Sequence, residues 1–346
     1  MRQLVNWFSD TATTLATRMQ SYPLPTIPIT ALILGFRPEH RIHFRGFAGS
    51  AWRGAFGWAL KRTVCVVRDI PCAQCLLQRT CVWPYVFETP PPPDAEKMRR
   101  YPNAPHPFAL VIDPQPHDGL YYLGLNLFGK AHAYLPYFIH AFALAGQAGL
   151  GQRREVYGLA EVWQFADDLD WHKIHRPGEN LTPCPQFPLP IPETPSRLRI
   201  DLLTPLRIRR NEVFVDAASF RFADWFGSLL RRISMLSYFH SDTPLETDFA
   251  ALTRAAEDVP IHHAHLRWDD WSRFSSRQQQ KIQMGGLVGS FELDGAGLEP
   301  FWPYLWLGQW THAAKGAVMG LGRYQIETAS LPDSASKELP GNLLLD

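Results

Sequence analysis

The sequence lacks a long uninterrupted apolar segment. Its longest apolar stretch, residues 134–150, is broken by Pro136, His140 and Gln147, whereas a membrane-spanning helix needs about 20 consecutive, mostly apolar residues. The N-terminus also lacks the apolar core of a secretory signal peptide. We therefore expect a cytoplasmic protein that has no membrane partner.

The sequence also has no overall excess of charge, because its formal net charge is +1. The charges are unevenly distributed: residues 37–68 hold seven basic side chains and one acidic one, and residues 197–232 hold eight arginines and four acids. Locally basic surfaces on a neutral protein favour an anionic partner. Arginine outnumbers lysine by 27 to 7, which suits phosphate binding but is also typical of a GC-rich genome.

The chain is long and apolar enough for two packed domains. It has 346 residues, of which 46% are hydrophobic and 13% aromatic. Residues 177–195 contain seven prolines, which neither a helix nor a central strand tolerates. We therefore predict domains at 25–176 and 197–330, joined by a linker at 177–196. A second proline-rich stretch, 90–116, is interpreted as a long loop.

The two halves show the same order of predicted elements. In each half a strand is followed by a helix, a further strand, a second helix, a glycine loop and a last strand. This order is compatible with the βαββαβ unit, so we predict an α+β fold of tandem ferredoxin-like domains. The predicted helices cover residues 49–62, 130–147, 219–240 and 298–312, and the predicted strands cover 26–36, 120–128, 154–164, 197–209, 265–274, 285–293 and 323–327.

Four of the five cysteines lie close together in the first half. Cys65, Cys72, Cys75 and Cys81 could supply four thiolates to one tetrahedral metal ion. We predict a structural zinc site in a cysteine-rich insertion, because four protein ligands leave no open position for a substrate. An iron–sulfur cluster and four buried or unpaired thiols are the alternatives. Cys184 lies apart, in the predicted linker.

A glycine-rich loop precedes the last predicted strand. Gly316, Gly320 and Gly322 are followed by a strand, which excludes the dinucleotide fingerprint and the P-loop, because both lead into a helix. Such a loop lets a phosphate approach backbone amides, and Lys315 and Arg323 would add positive charge. The alternative is a tight turn that requires positive φ angles.

Several segments resemble one known family and occur in its order over residues 27–328. They are Gly49–Gly57, the cysteine cluster, Tyr85–Glu88, Leu127–Gly129, Gly149–Gly151, Leu203–Arg207, Leu230–Ile233, Met284–Gly289 and Lys315–Tyr324. The resemblance is to the CRISPR precursor-RNA processing endoribonucleases of the RAMP superfamily. Backbone subunits of RNA-guided effector complexes share parts of the pattern.

The resemblance implies domains similar to RNA-recognition modules and an activity that needs no catalytic metal. The 2′-hydroxyl of a CRISPR repeat would attack the adjacent phosphodiester and leave a 2′,3′-cyclic phosphate and a 5′-hydroxyl. The implied partners are repeat RNA, the mature guide RNA and other subunits of an effector complex. One alternative is a catalytically silent RNA-binding RAMP subunit. Another is a metal-dependent enzyme that uses His262, His263 and His265.

Histidines are the candidate catalytic residues, because this chemistry needs a general base and a general acid near neutral pH. His40 and His43 follow the first predicted strand, in a basic segment that includes Arg41. Nearby cations keep a histidine neutral, as a base requires. His312, which precedes the glycine loop, is a third candidate. The alternative for His40 and His43 is a basic surface loop with no catalytic role.

Arginine, lysine and loop glycines are the candidate RNA-binding residues, because cations and exposed backbone amides stabilise phosphate charge. An alternative for Arg231 and Arg232 is a solvated helix face. The candidates are Arg53, Arg231, Arg232, Lys315, Gly316, Gly320, Gly322 and Arg323.

Overall fold

A computed structural model describes residues 24–44, 46–97, 103–270, 272–275 and 280–328. The strands are β1 Ile29–Pro38, β2 Phe108–His117, β3 Leu120–Phe128, β4 Tyr157–Phe165, β5 Trp171–His175, β6 Arg197–Leu206, β7 Arg209–Arg210, β8 Val213–Phe214, β9 His262–Asp269, β10 Ser272–Ser275, β11 Gln280–Gln283, β12 Gly286–Asp294 and β13 Tyr324–Thr328. The helices are α1 Ala48–Val64, α2 Leu135–Ala148, α3 Phe222–His240, α4 Phe249–Ala255 and α5 Trp302–Thr311. Residues 329–330 of the predicted second domain lie outside the described residues.

Each half contains one large antiparallel sheet, and the second half also has two two-stranded sheets, β7-β8 and β10-β11. The first sheet has the order β2-β3-β1-β4-β5 and the second has the order β13-β6-β12-β9. With α1 and α2 in the first half and α3 and α5 in the second, each half contains the βαββαβ unit, and β5 is added at the edge of the first. The predicted α+β fold of tandem ferredoxin-like units is confirmed.

The interpretation of residues 90–116 as one long loop was wrong in its last part, which forms β2. Prolines normally argue against a strand, but an edge strand tolerates them where no ladder hydrogen bond is needed. β2 lies at the edge of its sheet, and its pairing with β3 shifts register between Ile112 and Pro116. The bulge there accommodates Pro114 and Pro116.

The first sheet is buried on both faces. From β1, Leu32, Leu34 and Phe36 pack with residues of α1 and α2, whereas Ile29 and Ile33 belong to the same core as the second half. This alternation follows from the period of two along a strand. The two halves therefore share a hydrophobic core.

Helix α5 lies inside that shared core. Every residue of Trp302–Thr311 is buried, as expected for a helix that is apolar on all sides. The proline-rich segment between the halves packs on it, because the indole Nε1–H of Trp302 donates to the Pro192 carbonyl at 2.6 Å and that of Trp306 donates to the Pro190 carbonyl at 2.9 Å. In the described part of the chain, no helix has the length and hydropathy that crossing a membrane requires.

Candidate functional site

The two halves meet along a seam, which we define as residues 39–44, 46–53, 108–117 and 312–323. Along the seam, the backbones of the two halves approach each other closely. A Cβ atom on Gly49 would lie 1.8 Å from the Met319 carbonyl oxygen, and one on Gly320 would lie 2.9 Å from the Leu110 carbonyl oxygen. Glycines at these positions therefore let the start of α1 and strand β2 pack against the glycine loop.

The glycine loop is a tight turn whose central amides are engaged within the protein. Gly316, Gly320 and Gly322 have φ angles of 96°, 87° and 69°. The Gly320 N–H donates to the Ala317 carbonyl at 2.8 Å, and the Gly322 N–H donates to the Pro205 carbonyl at 3.1 Å. This corrects the expectation that amides around Gly320 are open to a phosphate, and it matches the alternative of a turn that needs positive φ.

Two of the predicted site residues lie in the interior of the seam. His312 is 0% exposed, and burial holds its pKa well below the usual range, helped by Arg323 and Arg232. Burial also lowers the pKa of Arg323 to about 10, which the nearby Asp113 carboxylate opposes. The structure thus places both the candidate catalytic residue His312 and the candidate RNA-binding residue Arg323 inside the protein, away from the rim where RNA would bind.

Arg232 is also directed inward. Its Nε donates to the Thr311 carbonyl at 2.5 Å, and its guanidinium carbon lies 5.9 Å from the centre of the Phe128 ring. Burial lowers its pKa to about 10. This side chain therefore connects α3 to the end of α5 and to β3. This placement corrects two expectations, that Arg232 contacts RNA and that it lies on a solvated helix face.

Further basic groups lie beside Arg232, close to the start of α1. Burial lowers the pKa of His106 to about 3, and Arg53, Arg232 and His240 act in the same direction. The pKa of His240 is lowered to about 4, again by burial. The half-buried Arg53 guanidinium lies 5.0 Å from the centre of the Phe87 ring. Near neutral pH these two histidines are therefore uncharged, and the positive charge between the two halves comes from the arginines.

The remaining candidates are exposed at the rim of the seam or on α3. His40, His43, Lys315 and Arg231 are all exposed. The loop 39–47, which carries both histidines, packs against the glycine loop through Phe47 and Met319. It is fixed on its other side, where the His43 carbonyl accepts the Gln152 N–H at 2.9 Å. The structure therefore brings the predicted histidine loop next to the loop that carries Lys315.

A histidine–carboxylate pair on β2 escaped the sequence analysis. His117 Nε2 lies 2.7 Å from Asp113 Oδ2, and their side chains are 35% and 10% exposed. The pair spans the bulge in β2 and precedes the turn Asp118-Gly119, whose residues have φ angles of 52° and 73°. Asp-Gly is a strong hairpin signal, and it was the feature of the sequence that could have revealed β2.

The four clustered cysteines line one cavity of about 20 Å³ beyond the C-terminal end of α1. Their thiols are engaged differently. Cys65 Sγ donates to the Val67 carbonyl at 3.1 Å, and burial and the Glu88 carboxylate raise the pKa of Cys72. Within the described ranges, no three His, Cys, Asp or Glu side chains are grouped so that they could hold a metal ion. The predicted zinc site therefore stays a prediction.

The alternative metal centre at His262, His263 and His265 is also not formed among the described residues. These residues lie on edge strand β9, and His262 Nε2 pairs with Asp294 at 3.3 Å. The neighbouring open face of β6 has its charges paired, since Arg197 contacts Glu292 at 2.5 Å and Arg199 contacts Asp201 at 3.0 Å. The seam, rather than this face, is therefore the better candidate for contact with an anionic partner.

A fold of tandem ferredoxin-like units joined by a basic seam defines an RNA-binding class of protein. Residues 200–324 match the family model described as CRISPR-associated endoribonuclease Cas6, and residues 27–186 match a model described as an N-terminal domain. The second half of the chain thus matches the Cas6 endoribonuclease family, and the resemblance found in the sequence is confirmed. None of the curated proteins matches the chain.

A solved structure supports the same fold. A Cas6 product complex is similar with a TM-score of 0.53 and 17% sequence identity, over 87% of this chain and 99% of that chain. A partial Cas6-RT-Cas1–Cas2 complex is similar with a TM-score of 0.49 and 15% identity, over 88% of this chain and 47% of that chain. At these identities the first likeness shows the fold alone.

Proposed function

We propose that this protein is a metal-independent endoribonuclease that cuts CRISPR repeat RNA into mature guide RNAs. The 2′-hydroxyl attacks the adjacent phosphorus and leaves a 2′,3′-cyclic phosphate and a 5′-hydroxyl. The observation that carries the proposal is the match of residues 200–324 to the Cas6 endoribonuclease model. It is supported by the seam, where two exposed histidines, His40 and His43, lie on a loop that packs against the glycine loop.

The rim of the seam is the proposed RNA path. His43 or His40 acts as the general base, and Lys315 and Arg231 supply positive charge for phosphates. Arg53 contributes from the start of α1. The proposed partners are repeat RNA, the retained guide RNA and subunits of an effector complex, in the cytoplasm. In this proposal, residues 25–176 and 197–330 act as two RNA-binding domains joined by 177–196.

A structural zinc ion at the cysteine cluster is part of the proposal. Cys65, Cys72, Cys75 and Cys81 all line a cavity of about 20 Å³, whereas a single water needs about 10–15 Å³. The cavity therefore has room for one atom-sized ion. Burial and the Glu88 carboxylate raise the pKa of Cys72 and Lys61 opposes them, so the thiolate would form on binding the metal, which stabilises it. Binding of zinc requires the four thiols to turn toward the cavity.

A catalytically silent RNA-binding RAMP subunit would have the same fold and the same basic seam. The two functions are separated by incubating the protein with repeat RNA from its own locus, with and without chelator, and mapping the product ends. Specific cuts with cyclic-phosphate ends, unchanged in chelator, are expected of the nuclease. Tight binding without cleavage would favour the silent subunit, and cleavage lost in chelator would favour a metal-dependent enzyme.

A further inference from the structure

We propose that His117, held by Asp113, is the general acid that protonates the leaving 5′-oxygen. This inference rests on the proposed cleavage of RNA by 2′-hydroxyl attack. That reaction needs two proton transfers, and the exposed histidines of loop 39–47 account for the first. The second requires a protonated group at the same rim, and the His117–Asp113 pair lies on the adjoining strand β2.

The geometry of the pair suits an acid. Asp113 Oδ2 lies 2.7 Å from His117 Nε2, so the other ring nitrogen, Nδ1, is the one available to a substrate. A carboxylate at one ring nitrogen orients the imidazole and fixes which nitrogen faces the substrate. Asp113 is itself held in place, because its Oδ1 accepts the Gln115 N–H at 3.0 Å.

Contacts along β2 connect this pair to the proposed base. The Gln115 side-chain oxygen accepts a hydrogen bond from Arg41 Nη2 at 3.0 Å, and Arg41 lies between His40 and His43 in the chain. The loop with the proposed base and the strand with the proposed acid are thus joined by one side-chain contact. Arg323, on the glycine loop, also lies near enough to Asp113 for the two charges to interact.

The proton and bond changes balance within the RNA and the two histidines. The base, His43 or His40, takes the 2′-hydroxyl proton while the bond between O2′ and phosphorus forms. The bond between phosphorus and O5′ breaks, and the His117 Nδ1 proton passes to O5′. The products are a 2′,3′-cyclic phosphate and a 5′-hydroxyl, and exchange with water restores both histidines.

The sequence offers a matched control. His172 and Asp168 form a pair of the same i, i+4 spacing and the same 2.7 Å distance, at the turn between β4 and β5. Because β2 and β5 are opposite edges of the first sheet, His172 lies away from the seam. A variant of His172 therefore reports any general effect of losing such a pair.

The test compares two RNAs, one with the natural 5′-oxygen at the cleavage site and one with a bridging 5′-sulfur. A thiolate leaves without a proton, so the sulfur RNA does not need the acid. We expect His117→Gln to slow the natural RNA by about 10²-fold or more and the sulfur RNA by less than about 3-fold. We expect His172→Gln to cut both at the wild-type rate. His43→Ala or His40→Ala, whichever removes the base, should slow both RNAs.

Wild-type cleavage of the natural RNA by His117→Gln would overturn the inference. An equal loss on both RNAs would overturn the acid role. Glutamine keeps a hydrogen-bond donor for Asp113, and the melting temperature of His117→Gln shows whether the variant is folded. If the wild-type protein itself cuts neither RNA, it is the proposed function that fails, and that outcome is distinct from a failure confined to His117.

Discussion

At the scale of single residues, burial separates the basic side chains into two groups. His312 and Arg323 are buried, and Arg232 turns its guanidinium toward Thr311 and Phe128. Charged groups in such positions are retained at a cost in desolvation, which here appears as lowered pKa values for all three. The histidines of loop 39–47 and Lys315 are exposed, so RNA can reach them.

The first prediction concerns those histidines. We expect His43→Ala or His40→Ala to lower the cleavage rate by about 10²–10⁴-fold, because a general base contributes that much to proton transfer. Affinity for RNA should change little, since phosphate contacts dominate binding. Single-turnover rates and binding curves measure the two effects. His140→Ala, an exposed histidine on α2, is the control, and wild-type rates in both loop variants would place the base elsewhere.

A second prediction follows from the buried His240, which joins the two halves. Tyr85 Oη lies 3.2 Å from its Nδ1, and its Nε2 lies 2.7 Å from the Pro105 carbonyl oxygen. Its pKa falls to about 4 in the folded protein, against about 6.5 when unfolded. Between these values the unfolded chain binds a proton that the folded chain does not, so stability falls as pH falls, by about 1.4 kcal/mol per pH unit.

Urea unfolding at several pH values between about 7.5 and 5 measures this dependence. We expect His240→Gln to flatten the loss of stability on acidification, whatever its effect at neutral pH. His140→Gln should keep the wild-type slope, because that side chain is exposed. Identical slopes for the wild type and His240→Gln would contradict the assignment of a buried neutral imidazole.

At the scale of elements, the glycine loop allows the two halves to pack closely. Gly320 has a φ of 87°, and its Cβ would lie 2.9 Å from the Leu110 carbonyl. We therefore expect Gly320→Ala to lower the free energy of unfolding by about 1–3 kcal/mol, the usual cost of a strained backbone position. Gly54→Ala is the control: Gly54 lies in α1 with nothing within 4 Å of an added Cβ, so it should be neutral or stabilising. Equal stability of Gly320→Ala and the wild type would argue against tight packing.

The cysteine segment is a second element with a testable role. We expect about one zinc ion per chain by elemental analysis, and a lower melting temperature for Cys75→Ser, because the free energy of metal binding is partly folding free energy. Cys184→Ser is the control, since Cys184 lies in the proline-rich segment. A fully folded wild-type protein that contains no metal would reject the site.

The elements also show where reading the sequence succeeded. The second half was predicted with its six main elements in order, because β6 and α3 have clear periodic patterns and α5 is a short apolar run. Strand β2 was missed, since its prolines resemble a loop and only its position at a sheet edge makes them acceptable. The His117–Asp113 pair was missed with it. The position of the glycine loop was predicted, but its packing against β2 depends on a long-range contact that no local pattern reveals.

At the scale of the whole molecule, the two halves pack together through one shared hydrophobic core. Helix α5 is buried between the sheets, and Asn126 of the first sheet donates to the Trp310 carbonyl at 2.9 Å. The two sides of the seam are therefore packed against each other, which is what positioning the two proposed catalytic histidines requires. RNA would be recognised at its rim rather than on the open face of the second sheet, where the arginines are paired with acids.

The central claim is that the RNA supplies its own nucleophile and that no metal takes part in the step. The most direct measurement is the cleavage of two repeat RNAs in the presence of chelator, one natural and one with a single 2′-deoxy sugar immediately 5′ of the scissile phosphate. We expect the natural RNA to be cut at one bond and the deoxy RNA to bind with similar affinity but to remain intact. Cleavage of the deoxy RNA at the same bond would contradict the account.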